Sequence, residues 1–370
     1  MARRGASRAP KCPSASTMAS TQIRYAYQQL FVAADLARRR LPLIRARADA
    51  AGPTLWLTAC AHGDEVGGIA VIHEVFRRLR KQPLARGALC AFPMMNPFGF
   101  ELGTRHLPLG NEDLNRAFPG LADGSLSQRI AYRVFETIKA SAPDLVLDLH
   151  NDWLHSIPYT LVDPPLPGQR AIYERTLRIA SHLGLLVVSE RANDEEARIW
   201  QSTLSGALMA QGIPALTVEL GAARIIDEAA VQHGVAMVFN ALHRLGMIAP
   251  LAKTFVHPSL ETFGQKLLHY QDRPFAMTSG IVRFHVRAGE RVQVNQLLAR
   301  TYNAFGKVLE RLRATDDGIV LGHADTSVAL PGVPLLAFAI PDLPELPTPA
   351  PPGPKDLRED PASPGEVPSA

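Results

Sequence analysis

Short apolar runs alternate with stretches of helical period over the first two-thirds of this chain. Thr54–Cys60 (TLWLTAC) is apolar throughout. A glycine-containing turn follows, and then Ile69, Ile72, Val75, Phe76 and Leu79 recur at three- and four-residue spacing, which predicts a helix over Ile69–Arg80. Ala88–Phe92 reads as a strand, Gln128–Lys139 as a helix and Asp144–Leu149 (DLVLDL) as a buried strand. Arg170–Leu183 reads as a helix, Leu185–Ser189 and Ala215–Leu220 as strands, and Glu228–Leu245 as a long helix. This alternation predicts an α/β fold, a mostly parallel or mixed sheet flanked by helices.

After Pro250 the texture changes. Short β-like runs at Gly280–Val286, Arg291–Ala299 and Gly318–Leu321 are separated by Gly and charged turns, with few helical signals. The pattern divides the chain into a main α/β domain over 21–250 and a smaller all-β domain over 255–340. Residues 1–20 are rich in Ala, Ser and Pro and read as a disordered leader, within which Met18 is a candidate true start. Residues 341–370 combine repeated Pro with Glu, Asp and Ser and read as a disordered tail. No internal repeat is visible.

Composition narrows the function classes. Apolar residues make up 46% of the 370 positions, enough for a sizeable core, and charged residues 20%. The net charge of +4 is too small and too evenly spread for a nucleic-acid partner. The one basic run, Arg38–Arg40, reads as a solvated helix end. Three cysteines without CxxC spacing suggest neither a disulfide framework nor a thiolate metal site. No apolar run reaches transmembrane length, and no apolar segment follows the basic N-terminus, so a cytoplasmic location is the default expectation.

Four segments carry candidate chemistry. ACAHGDEVGG (59–68) sits where a strand gives way to a helix, the edge of an open sheet where ligand sites form. His62 and Glu65 in it are both metal-ligand types; equally, Asp64 and Glu65 complement a helix dipole. DLVLDLHND (144–152) places His150 at a second strand end, with Asp148 two residues earlier, either as a partner for a ligand histidine's second nitrogen or as a plain strand position. ALTVELG (215–221) puts Glu219 at the end of an apolar strand, where an ionised carboxylate needs a partner or a function. NPFGFELGTRHLPLGNEDLNRAFPG (96–120) is a long polar loop with two separated arginines, Arg105 and Arg116. Each arginine is either a planar fork for a carboxylate or a surface ion pair, and Asn115 is at minimum a turn-capping amide.

HGDE at 62–65, DLNRAFPG at 113–120, DLH at 148–150 and VELG at 218–221 stand in register on these strand ends and this loop. Together they resemble the succinylglutamate desuccinylase/aspartoacylase family, whose fold is that of the zinc carboxypeptidases, over about residues 40–340. The resemblance implies one Zn2+ per chain held by His62, Glu65 and His150, with Glu219 as general acid/base. It implies that Arg105 polarises the scissile carbonyl and that Asn115 and Arg116 hold a substrate carboxylate. The C-terminal β domain would narrow access and favour small N-acyl amino acids. Ten positions separate Arg105 from Asn115, which places the chain closer to the broader deacylase branch of diverse substrates. The implied reaction is hydrolysis of an N-acyl amino acid by metal-activated water. A carboxypeptidase or amidase acting on short peptides would use the same residues, and a metal-free binding protein on this fold is the rival from another class. No lysine stands at a clear hairpin tip, Lys307 in AFGKVLE being the only candidate, so a structural or gating role for the β domain is the better reading than a carrier role. A homo-oligomer is left open.

Overall fold

The computed structural model describes residues 21–341, apart from 166, 191–196 and 265. The leader, with Met18, and the tail beyond 341 lie outside the described residues. Strands β1 (Thr21–Val32), β2 (Arg38–Ala48), β3 (Thr54–Ala59), β4 (Ala88–Phe92), β5 (Leu145–His150), β6 (His155–Ser156), β7 (Tyr159–Val162), β8 (Leu186–Ser189) and β9 (Ala215–Glu219) come first. Strands β10 (Leu267–Gln271), β11 (Gly280–Phe284), β12 (Arg291–Val292), β13 (Leu297–Tyr302), β14 (Val308–Arg313), β15 (Gly318–His323), β16 (Val328–Ala329) and β17 (Leu336–Ile340) follow.

Among the described residues one sheet holds thirteen strands, in the order β1-β2-β4-β3-β5-β9-β7-β8-β10-β17-β15-β12, with β6 paired to β15. It is mixed. β4, β3, β5 and β9 run parallel, and so do β7, β8 and β10, whereas β7 meets β9 antiparallel. A separate four-stranded sheet, β14-β13-β11-β16, forms the smaller all-β part. The C-terminal strands are thus shared: β10, β12, β15 and β17 extend the large sheet.

The central strands are buried on both faces, which explains their unbroken apolar runs. Helices Gly67–Leu79 and Glu228–Arg244 cover one face through Val71, Ile72, Val75, Val231, Val235 and Val238. Helices Leu126–Lys139 and Leu204–Met209 cover the other through Ile130, Val134, Phe135, Leu204 and Leu208. At Gly68 an added Cβ would stand 2.9 Å from the Cβ atoms of Ala59 and Leu149, so only glycine lets this helix start so close to β3 and β5.

Two sequence expectations need correction. Arg38–Arg40 is not a helix end but the exposed start of β2, paired with Gln29, Phe31 and Val32 of a long antiparallel ribbon. Arg291–Ala299 is not one strand: Val294–Asn295 turn the chain between β12 and β13, and Asn295 takes a positive φ of 68°. No helix among the described residues is long and apolar enough to cross a membrane.

Candidate active site

The site is assembled by register. Across β5, β9 and β7, His150 pairs with Glu219, and Glu219 with Tyr159; two residues away, Asp148 pairs with Thr217, and Thr217 with Leu161. Strand alternation therefore puts both rows on one face of the sheet. β3 ends beside them, and the following loop is anchored by backbone bonds from Met95 to Ala59 (3.0 Å) and from Asn96 to Cys60 (2.8 Å). Gly63 presses against the backbone of Gly99 and Phe100, and its N–H donates to the Arg105 carbonyl (3.3 Å). The HGDE turn and the long polar loop are therefore in contact.

His62, Glu65 and His150 are each less than 5% exposed, and their ligand atoms lie within 4.8 Å of one another. Nδ1 of His62 stands 2.6 Å from Glu65 Oε1, and Nδ1 of His150 stands 2.7 Å from Glu65 Oε2. The outer nitrogens are held too: His62 Nε2 by Asp113 (3.1 Å) and His150 Nε2 by Asp148 (3.0 Å). Asp148 is fixed in turn by the Thr58 hydroxyl (2.6 Å). Carboxylates on both Nε2 atoms favour the tautomers that turn the Nδ1 lone pairs inward. Two imidazoles and a carboxylate converging in this way could hold a metal ion, and three protein ligands would leave it a coordination position for water.

Without a metal, the carboxylates and imidazoles of the cluster stabilise one another's charge. Burial works against Glu65, yet His62 and His150 hold its carboxyl well below the usual range. Burial likewise opposes the charge on His150, but Asp148 and Glu65 lift its pKa well above that of an ordinary imidazole. Burial opposes Asp113 as well, and His62 and Arg105 keep it ionised, well below the usual carboxylate range.

A cavity of about 510 Å³ opens over this cluster. Glu219 lines it from the end of β9; its Oε2 is buried without a partner, and burial, reinforced by Asp152, pushes its pKa well up. Arg105 reaches in from the long loop to Glu65 (3.4 Å) and Asp113 (3.3 Å). Asn115 and Arg116 line the cavity from the turn Leu114–Arg116. Asn115 Oδ1 is engaged by the Leu204 N–H (2.9 Å), and Arg116 donates to the Asn115 carbonyl (2.9 Å). The seven residues given roles by the resemblance therefore line one cavity, whereas Asp64 and Asp148 do not.

Other residues in or beside the site had gone unmarked. Asp113 shared the DLNR segment with two marked positions and could have been flagged as the acid capping that turn. Asn151 joins three pieces: it accepts from Gly67 N–H (3.0 Å), donates to the carbonyls of Gly221 and Ala222, and offers its own N–H to Glu65. Asp152, pushed up to about 6 by burial, accepts from the Tyr159 hydroxyl (2.9 Å). Tyr270, Gln271 and Asp272 close one wall from β10 and its end, more than a hundred residues along the chain from His150.

Known proteins resemble this chain in sequence and in fold. The chain is 28% identical over 295 residues to N-alpha-acetyl-L-2,4-diaminobutyric acid deacetylase of Halomonas elongata, covering 73% of this chain and 77% of that protein. An aspartoacylase family protein from Mesorhizobium loti superposes with a TM-score of 0.71 at 20% identity, over 89% of this chain and 100% of the other. The product-bound ectoine utilization protein EutE (DoeB) from Ruegeria pomeroyi gives a TM-score of 0.71 at 20% identity, over 88% and 100%. Residues 51–245 match the model of the succinylglutamate desuccinylase/aspartoacylase catalytic domain, so this chain belongs to that family.

Proposed function

We propose that this chain is a zinc-dependent hydrolase that cleaves the amide bond of an N-acylated amino acid. The observation that carries the reading is the inward convergence of the two Nδ1 atoms and the Glu65 carboxylate, with both Nε2 atoms held by aspartates. The Halomonas relative, a deacetylase of an N-acetyl amino acid, supports the reaction class.

His62, Glu65 and His150 would hold the metal. Bound zinc supplies Lewis acidity and lowers the pKa of water to about 7. Glu219 stands in the neighbouring strand at the register of His150, and its raised pKa suits a group that takes a proton from water and returns it to the leaving amine. Arg105 lies beside Glu65, positioned to stabilise charge developing on the scissile carbonyl oxygen. Arg116 and Asn115 line the same cavity and would orient a substrate carboxylate there. Tyr270–Asp272 narrow the cavity from the C-terminal side, which favours small substrates.

The test is Glu219→Gln. The variant should bind one zinc per chain as the wild type does, while kcat on N-acyl amino acids falls by about 100- to 10,000-fold. Wild-type turnover in this variant would remove Glu219 from the mechanism, and zinc bound equally well by His150→Ala would remove the ligand set.

A further inference from the structure

Two buried carboxylate oxygens on the cavity wall have no hydrogen-bond partner: Glu219 Oε2 and Asp163 Oδ2. Glu219 belongs to the reacting row. Asp163 lies elsewhere. Strand alternation puts Tyr159, Leu161 and Asp163 on the cavity face of β7 and its extension, and all three line the cavity. Tyr159 stands beside Glu219 and Leu161 beside Thr217. Asp163 is therefore four residues, or roughly 13 Å of strand, away from the row that holds Glu219 and His150.

Asp163 is only 7% exposed. A hydrogen bond from Ser205 satisfies part of the carboxyl, and Arg116 acts on it through space. A buried carboxylate with an open oxygen is kept when something pairs with it, and here the cavity is the direction left for that partner. The charge of the lining indicates which partner. Arg116 is the cation that acts on Asp163, and once Arg116 answers a substrate carboxylate the Asp163 charge is left for a second cation. Leu161 and Trp200 add apolar wall suited to a methylene stem.

We propose that Asp163 determines specificity by pairing with an ammonium group on the substrate side chain, so that the site takes N-acyl derivatives of basic amino acids. This rests on the deacylase reading above. Burial pushes Asp163 up to about 6, and a cation beside it would bring that value down.

The experiment compares Nα-acetyl-lysine, Nα-acetyl-ornithine and Nα-acetyl-2,4-diaminobutyrate with neutral Nα-acetyl-norleucine on the zinc-loaded full chain. Calorimetry measures binding of free ornithine and norvaline alongside. Wild type should favour the best cationic substrate by on the order of 100-fold in kcat/KM. Asp163→Asn should erase that preference, mainly by raising KM for the cationic substrates. Equal treatment of cationic and neutral ligands by wild type, in turnover and in binding, would overturn the proposal without needing the variant. An equal loss on both classes in Asp163→Asn would also overturn it, because Asp163 would then act by positioning Arg116. If nothing in the panel is hydrolysed, yet wild type binds ornithine over norvaline and Asp163→Asn does not, the deacylase reading fails and the cation subsite stands.

Discussion

Replacing Gly63 by alanine tests whether the HGDE turn and the arginine-bearing loop act as one unit. An ideal Cβ at Gly63 would lie 2.0 Å from the carbonyl carbon of Gly99, 2.2 Å from Phe100 N and 2.5 Å from Gly99 Cα. Ordinary contact begins at 3.4 Å, so one backbone must retreat by about 1.4 Å. No flexible side chain can absorb the change, because every close atom is backbone. Gly99 cannot retreat freely either, since it is held by its N–H bond to Asn96 (2.8 Å) and by the Thr104 N–H on its carbonyl (3.0 Å). Overpacking of this kind costs about 1–3 kcal/mol. The same displacement moves Arg105, whose carbonyl accepts from Gly63 N–H (3.3 Å), and a misplacement of about 1 Å is enough to cost roughly 100-fold in rate. Gly63→Ala should therefore lower the unfolding midpoint of the metal-free chain by several degrees and reduce kcat about 100-fold, while zinc is still bound. Thermal unfolding, metal analysis and steady-state kinetics check the three parts. A variant with the wild-type midpoint and wild-type kcat would refute the coupling.

Two further perturbations follow from the outer partners of the ligand set. In Asp148→Asn the amide N–H facing His150 Nε2 favours the tautomer protonated on Nδ1, the atom needed for the metal, so zinc affinity measured against a chelating dye should fall about 10- to 100-fold; unchanged affinity would refute the role of Asp148. In the metal-free chain Asp148 and Glu65 hold a proton on His150, so zinc uptake near neutral pH should release about one proton, seen as different binding heats in two buffers of unlike ionisation enthalpy; identical heats would refute it. The sign for stability is that of a raised imidazole: its contribution to the metal-free fold is complete below the ordinary value of 6.5 and fades as pH rises through the shifted one.

The strand-end residues were legible because parallel strands buried on both faces leave apolar runs that stop abruptly at a polar side chain, as at His150 and Glu219. The β1–β2 ribbon was not legible. In β2, Leu41 and Leu43 pack into one core cluster, and Ile44, Ala46 and Ala48 into another on the opposite face. The period-two pattern therefore changes phase midway, and three exposed arginines precede it. Asp163 was invisible for a different reason: it follows a four-residue strand, and only the fold brings it onto the cavity wall. Tyr270–Asp272 were hidden because β10 joins the sheet beside β8, a pairing that no local pattern encodes.

That last pairing has a mechanical consequence. β10 lies parallel to β8 and antiparallel to β17, so the wall it carries is part of the same hydrogen-bonded lattice as the cavity floor. A flap on a hinge could swing clear of a bulky peptide; a wall woven into the floor cannot. The width of the mouth is then set once, when the chain folds. Cutting away the C-terminal strands would not simply widen it: the naked edge of β8 would be left to pair with other chains.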